Sequence, residues 1–276
     1  MPEGDTIFRA ARTLQRALAG ATVTRFESMF PALNRVDADR PLAGRTVETV
    51  TALGKHMLMA FSGDLILRTH MRMHGSWHLY RPGERWQRPA RDMRIVVETG
   101  RFVAVGFNVP VAEFLTAREL ARHGQLGTLG PDLLAADFDH ATAAKRFRAH
   151  NADTVADALL NQRILAGIGN VFKSEILFVA RLHPHRTVGT LSDDELTQLI
   201  VEARRQLQAN VLDHAQTLSP AVGRRTTRSL DPAAKLWVYG RAGKPCRRCG
   251  ALVHGEKSGA DARNTYWCPR CQPALT

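Results

Sequence analysis

The stretch Asn161-Gln162-Arg163-Ile164-Leu165-Ala166-Gly167-Ile168-Gly169-Asn170-Val171-Phe172-Lys173-Ser174-Glu175-Ile176 reads as two helical pieces flanking Gly-Ile-Gly-Asn. The two glycines permit positive φ and a close approach of backbone. Asn170 then falls at a helix N-terminus, where free amides and the helix dipole can hold a phosphate. Such a contact fixes register on a nucleic acid without reading bases. The competing reading is an ordinary turn between two packed helices.

Outward from this stretch, residues 116 to 215 carry helical periodicity. It predicts helices over Thr116–His123, Ala141–Ala149, Val155–Leu160, Val171–Ala180 and Asp193–Leu212, the last with Ser192 as N-cap. Residues 21 to 115 instead show short β-like runs: Ala21–Phe26, Thr46–Ala52, His56–Phe61, Leu65–His70, Met93–Glu98 and Arg101–Phe107. Strands at that spacing, punctuated by Gly and Pro, suggest a sandwich or barrel. No dinucleotide or P-loop glycine motif follows any of them. Ile7, Phe8, Ala11, Leu14 and Leu18 recur at helical spacing and Gly20 ends the run, which predicts an N-terminal helix. Gln216–Asp231 is rich in Ser, Thr, Pro, Gly and Arg and reads as a basic loop holding Arg224, Arg225 and Arg228.

The 276 residues carry 38 Lys and Arg against 26 Asp and Glu, a formal charge of +12. That excess favours polyanions, nucleic acid first and anionic membrane second. No apolar run approaches a membrane span, and Asp5, Arg9, Arg12 and Arg16 interrupt any signal segment, so a cytoplasmic protein is expected. All four cysteines lie near the end: Cys246-x2-Cys249, then Cys268-x2-Cys271. Two such knuckles match a tetrahedral four-thiolate zinc site, and the absence of an export signal disfavours disulfides. Residues 233–276 hold eight Lys and Arg against Glu256 and Asp261, as a small basic nucleic-acid contact module would.

The chain starts Met1-Pro2-Glu3-Gly4. Loss of Met1 would leave a secondary amine on Pro2, with a reference pKa about 2 below that of lysine, so more of it is nucleophilic near neutrality. Such an amine can form an iminium with a carbonyl-like carbon, and the Glu3 carboxylate beside it can shuttle protons. A plain processed terminus is the alternative.

Pro2-Glu3-Gly4, the Gly-Ile-Gly-Asn segment and a terminal four-cysteine finger, in that order, resemble the formamidopyrimidine-DNA glycosylase/endonuclease VIII family over essentially the whole chain. The resemblance implies a multidomain α+β protein. Its parts would be an N-terminal β-sandwich with an N-terminal helix (1–115), a helical helix–two-turn–helix domain (116–232) and a C-terminal zinc finger (233–276). It implies that Pro2 attacks the deoxyribose C1′ and that Glu3 protonates the opening sugar. Lys55, in Gly54-Lys55-His56, resembles a turn lysine that contacts a phosphate beside the lesion; Asn170 and Arg263 resemble the other phosphate ligands. Glu175 reads as structural. In His70-Met71-Arg72-Met73-His74-Gly75, Met73 resembles the residue that fills the void left by a flipped base, with Arg72 and His74 flanking it. A core methionine and a surface histidine are the alternatives for Met73 and His74.

The Gly4 start and Val105-Gly106-Phe107-Asn108-Val109-Pro110, in place of an Arg-Arg-Phe-Gly loop, resemble the endonuclease VIII branch, which acts on oxidised pyrimidines. Asp5 and Thr6 depart from that branch's usual Pro-Glu. The resemblance implies one structural Zn2+, a monomer, damaged double-stranded DNA as substrate with single-stranded DNA as a further form, and nucleoid association in a bacterium. Three other readings stand beside it. One is an enzyme confined mainly to abasic-site cleavage; another is a non-catalytic binder of damaged or single-stranded DNA, for which Pro2 and Glu3 would have no use; the third is a zinc-ribbon RNA-binding protein, which fits the zinc and the charge but not the N-terminus.

Overall fold

The computed structural model describes residues 2–212, 224–227, 229, 231–259 and 262–274. Contacts divide the chain into two compact units, 1–128 and 129–276.

Among its described residues, the first unit is built on two four-stranded antiparallel sheets. One has the order β1 (Val23–Ser28), β6 (Met93–Thr99), β7 (Val103–Phe107), β5 (Ser76–Tyr80). The other has β2 (Val47–Leu53), β3 (His56–Phe61), β4 (Leu65–His70), β8 (Val111–Leu115). Val50, Met57, Met59, Phe61 and Leu67 from one sheet meet Val23, Ile95, Val97 and Ala104 from the other, which makes a sandwich core. Helix α1 (Gly4–Leu18) adds Ile7, Ala11, Leu14 and Leu18 to it. Ile7, Leu14 and Leu18 each contribute roughly 1.5–3 kcal/mol by leaving water, and Ala11 less. This stripe is what fixes α1, and with it Pro2 and Glu3, onto the sandwich.

In the first unit, α2 (Pro31–Asp39), β5 and β8 went unread in the sequence, while α3 (Ala117–Ala121) falls within the predicted helix Thr116–His123. Helix α2 buries only Leu33, so it has almost no apolar face, although Pro31 in its first turn is a start signal. Strands β5 and β8 lie at sheet edges and are mostly half-buried, which blurs the alternation that marks a strand. Helix α3 opens with a capping box between Thr116 and Glu119 and packs against β8 in the first unit.

The second unit packs α4 (His140–Arg148), α5 (Val155–Leu160), α6 (Asn170–Ala180) and α7 (Asp193–Leu212) around Phe147, Leu159, Ile164, Phe172, Ile176 and Leu199. A hairpin of β9 (His254–Ser258) and β10 (Arg263–Trp267) follows, and Phe178 of α6 shares a cluster with Val238, Cys246, Val253 and Cys268. The helical segment and the cysteine module therefore lie in one compact unit. Much of the Gln216–Asp231 loop, Arg228 included, lies outside the described residues, as does Asp261.

Candidate active site and nucleic-acid interface

In the first unit, Pro2 is half-buried and Glu3 is fully buried at the start of α1. The Glu3 carbonyl accepts the first helical bonds, from Thr6 N at 3.0 Å and Ile7 N at 3.1 Å, while its carboxylate makes no capping bond. Asp5 is also fully buried; it accepts from Thr6 Oγ1 at 3.3 Å and lies 3.8 Å from the Arg9 guanidinium. The two residues that depart from the usual family start thus engage one another.

Lys55 sits on the two-residue hairpin loop between β2 and β3, closed by the Leu53–His56 pair, with Gly54 at φ 58°. A first loop residue with positive φ is where glycine suits a tight hairpin. Behind the loop lies a buried polar network. Arg68 of β4 is 3% exposed and donates to His56 Nδ1 from Nε at 3.3 Å and Nη2 at 3.1 Å. It also bonds Glu113, and Gln125 Oε1 at 2.8 Å. A guanidinium does not give up its proton, so His56 Nδ1 must be the acceptor and the ring neutral. Burial, then the charges of His70 and Arg68, hold His56 down at about 3. His70 pairs with His56 across the sheet, rings 4.7 Å apart, and is held down at about 4 by burial and by Lys55. The Arg72 backbone N–H donates to His70 Nδ1 at 3.0 Å, so the proton of that neutral ring sits on Nε2.

The turn after β4 displays the void-filling candidates. Arg72 (φ 44°), Met73 and His74 are all exposed, Met73 at 55%, while Met71 is 2% exposed in the sandwich core. Met71 is therefore the core methionine of the pair. Gly75 closes the turn through its N–H to the Met71 carbonyl at 2.9 Å, and a Cβ there would lie 2.6 Å from that same oxygen.

In the second unit, Gly167 has φ 108° and Gly169 is the N-cap of α6, which makes Asn170 its first residue. Gln162 braces this turn: its Nε2 donates to the carbonyls of Leu160 (2.7 Å) and Ile168 (3.0 Å), and its Oε1 accepts from Gly167 N at 3.1 Å. Asn170 is 6% exposed, and its Oδ1 has no partner among the described residues. Arg263, half-buried, opens β10.

Three successive α6 residues, each at most 1% exposed, hold the chain that packs on this helix: Lys173 and Ser174 the strand that carries Arg263, Glu175 the segment 237–239. Lys173 Nζ donates to Thr265 Oγ1 at 2.6 Å and to the Asn264 carbonyl at 3.3 Å. Ser174 Oγ accepts from Tyr266 N at 3.3 Å. Glu175 accepts from the backbone N–H groups of Trp237, Val238 and Tyr239 at 2.8–2.9 Å, and from the Thr226 hydroxyl. Burial pushes the Glu175 carboxyl up, and these four bonds oppose it. Sequence reading placed Glu175 as structural but missed Lys173, Gln162, His56, Arg68 and His70. The His70–Gly75 run pointed at His70 without giving it work.

The sulfurs of Cys246, Cys249, Cys268 and Cys271 all lie within 4.8 Å of one another, with Cys249–Cys268 at 3.5 Å and Cys246–Cys271 at 4.0 Å. A tetrahedral zinc with bonds of about 2.3 Å needs sulfur–sulfur edges of about 3.8 Å, so the four thiols fit one ion with no position left for a substrate. Among the described residues, no helix is long and apolar enough to cross a membrane.

Comparison with known proteins places these features together. Residues 1–109 match the formamidopyrimidine-DNA glycosylase N-terminal domain, 129–221 the H2TH domain of the same glycosylase, and 243–274 a zinc finger found in FPG and IleRS. The chain is 43% identical to a "Probable endonuclease 8 2" of Streptomyces coelicolor, over 99% of this chain and 94% of that protein. It is 38% identical to a "DNA-(apurinic or apyrimidinic site) lyase Nei2" of Mycolicibacterium smegmatis, over 99% and 100%. The Lactococcus lactis Fpg, solved with abasic-site DNA, superposes with a TM-score of 0.82 over 99% of this chain and all of that one, at 22% identity.

Proposed function

Because the chain belongs to the formamidopyrimidine-DNA glycosylase/endonuclease VIII family, we propose that it is a bifunctional DNA glycosylase and AP lyase of base excision repair, acting on oxidised pyrimidines. The observation that carries this reading is the fully buried Glu3 carboxylate next to Pro2 at the start of α1.

The Pro2 amine attacks C1′ of the damaged nucleotide, and the C1′–base bond breaks as the base leaves with a proton. Glu3 donates a proton to the sugar ring oxygen, and the ring opens to an iminium. The iminium acidifies the C2′ hydrogen; its loss expels the 3′ phosphate, and a second elimination expels the 5′ phosphate. Water then releases Pro2. Lys55 contacts backbone phosphate from the first unit. Asn170 and Arg263 do so from the second, where arginine's planar fork suits a phosphate. Met73 fills the stack that the flipped base leaves, with Arg72 and His74 beside it. The zinc holds the two knuckles together. The substrate is damaged duplex DNA, with single-stranded DNA a further form, and the enzyme acts as a monomer.

A second reading confines the activity mainly to abasic sites, and the lyase name of the 38% identical mycobacterial relative favours it. Borohydride trapping on duplexes carrying thymine glycol, 8-oxoguanine or an abasic site separates the two. An adduct on thymine glycol supports the glycosylase. Adducts on the abasic site alone would support the lyase reading.

A further inference from the structure

The connection between β5 and β6 carries positive charge that the reaction does not use. Residues 81–94 hold five arginines against Glu84 and Asp92. The strand register gives the path of this connection. Tyr80 pairs with Val103 at one end of β7, and Ser76 and Met93 both pair with Phe107 at the other. The connection therefore leaves the sheet at the Tyr80 end and rejoins it at the Ser76 end. That second end is where the Met71–Gly75 turn enters β5, and there the Asp92 carbonyl accepts from Asn108 N at 2.7 Å. The span is the length of β5, five residues or about 16 Å.

The connection is pinned. Trp86 packs on Phe107 (centroids 5.6 Å) and Tyr80 (6.4 Å), over a cluster with Met93, Val96, Val103 and Val105. Gln87 N donates to the Tyr80 hydroxyl at 3.1 Å, and Glu84 closes a turn through both its N–H and its carboxylate to Arg81. On this fixed base Arg81, Arg85 and Arg91 are exposed and Arg88 half-buried, and none of their guanidinium groups has a hydrogen bond or ion pair among the described residues. Elsewhere in the unit, arginines such as Arg40, Arg45 and Arg68 are spent on carbonyls and carboxylates.

We infer that Arg81, Arg85 and Arg88 form a phosphate track that binds the DNA backbone away from the lesion. The track starts at the Tyr80 end of β5, the end away from the Met73 turn, and the connection runs from there back toward that turn. Guanidinium groups without internal partners, on a base that needs no ordering, bind phosphate at little entropic cost. At 3.4 Å of rise per base pair, about 16 Å parallels roughly five base pairs of duplex. The inference rests on the damaged-DNA reading above.

The test compares the native enzyme with the triple Arg81→Ala/Arg85→Ala/Arg88→Ala and triple Arg→Lys variants. Affinity for abasic-site duplex is measured against salt, on a long duplex and on one cut back to the lesion and its nearest neighbours. Each lost phosphate contact lowers the slope of log affinity against log salt by about 0.9. The alanine variant should lose at least about one unit of slope on the long duplex and none on the short one, with kcat at saturation unchanged. The lysine variant should keep most of the slope. An unchanged slope on the long duplex, with the melting temperature of the native enzyme, would overturn the track, and an acidic protein partner would then be sought for this surface. A native enzyme that binds no damaged duplex would instead overturn the proposed function.

Discussion

The two units hold the side chains proposed to meet DNA in different ways. In the first, Lys55 and the Arg72–His74 group ride on short turns, and only the strands beneath are fixed, by apolar packing and by the His56–Arg68–Glu113 network. In the second, Asn170 and Arg263 stand at the starts of elements locked together by Lys173 and Ser174, while Glu175 fixes the neighbouring segment 237–239. A wedge into stacked bases must be exposed, and a turn supplies that exposure. A clamp on phosphates separated by a fixed distance must not drift, and buried, fully bonded polar groups hold position because breaking them is costly.

The sharpest way to break this comparison is at Glu3, where chemistry and not positioning is at stake. Glu3→Gln should slow base release about 10²–10⁴-fold while abasic-site DNA binding stays near native, measured by single-turnover kinetics and titration. In the second unit, Glu175→Ala strips the partner from three backbone N–H groups, that of Val238 buried and those of Trp237 and Tyr239 part-buried. At about 1–3 kcal/mol for each orphaned group the loss should be several kcal/mol, read as a fall in the denaturation midpoint. Cys268→Ser should have a comparable effect on the finger, seen as lost zinc and weakened DNA binding. Lys173→Met is milder. It should raise KM several-fold through a misplaced Arg263, with kcat and zinc content nearly unchanged; a loss confined to kcat would contradict the positioning role.

The smallest effect is the pH dependence of the first unit. His56 and His70 titrate near 3 and 4 when folded and near 6.5 when unfolded. Below about 6.5 the unfolded chain binds protons that the folded one refuses, so their contribution is complete above that pH and is lost as pH falls toward 4 and then 3. Stability of His70→Gln should be less steep across that window than that of the native protein.

Much of this was legible in the sequence because apolar periodicity and spacing report directly on packing. The runs His56–Phe61, Leu65–His70, Val155–Leu160 and Asp193–Leu212 match their elements. The two Cys-x2-Cys knuckles announced the metal site. The polar clamps were not legible. Lys173, Ser174 and Glu175 look in sequence like the solvated side of an amphipathic helix, yet all are buried, because the segment 237–266 covers them from some 60 to 90 residues away. Arg68 likewise reads as an outward strand residue until His56, Glu113 and Gln125 converge on it. Such long-range polar pairings leave no local period.

The measurement that bears most directly on the account is borohydride trapping on abasic-site duplex, followed by mapping of the modified peptide. Native enzyme would be set beside a form that carries extra residues before Pro2. The account expects one reduced adduct, on the Pro2 nitrogen, and none with the extended form, which should still bind the DNA. An adduct of undiminished yield on the extended form, or one mapped to a lysine, would contradict it.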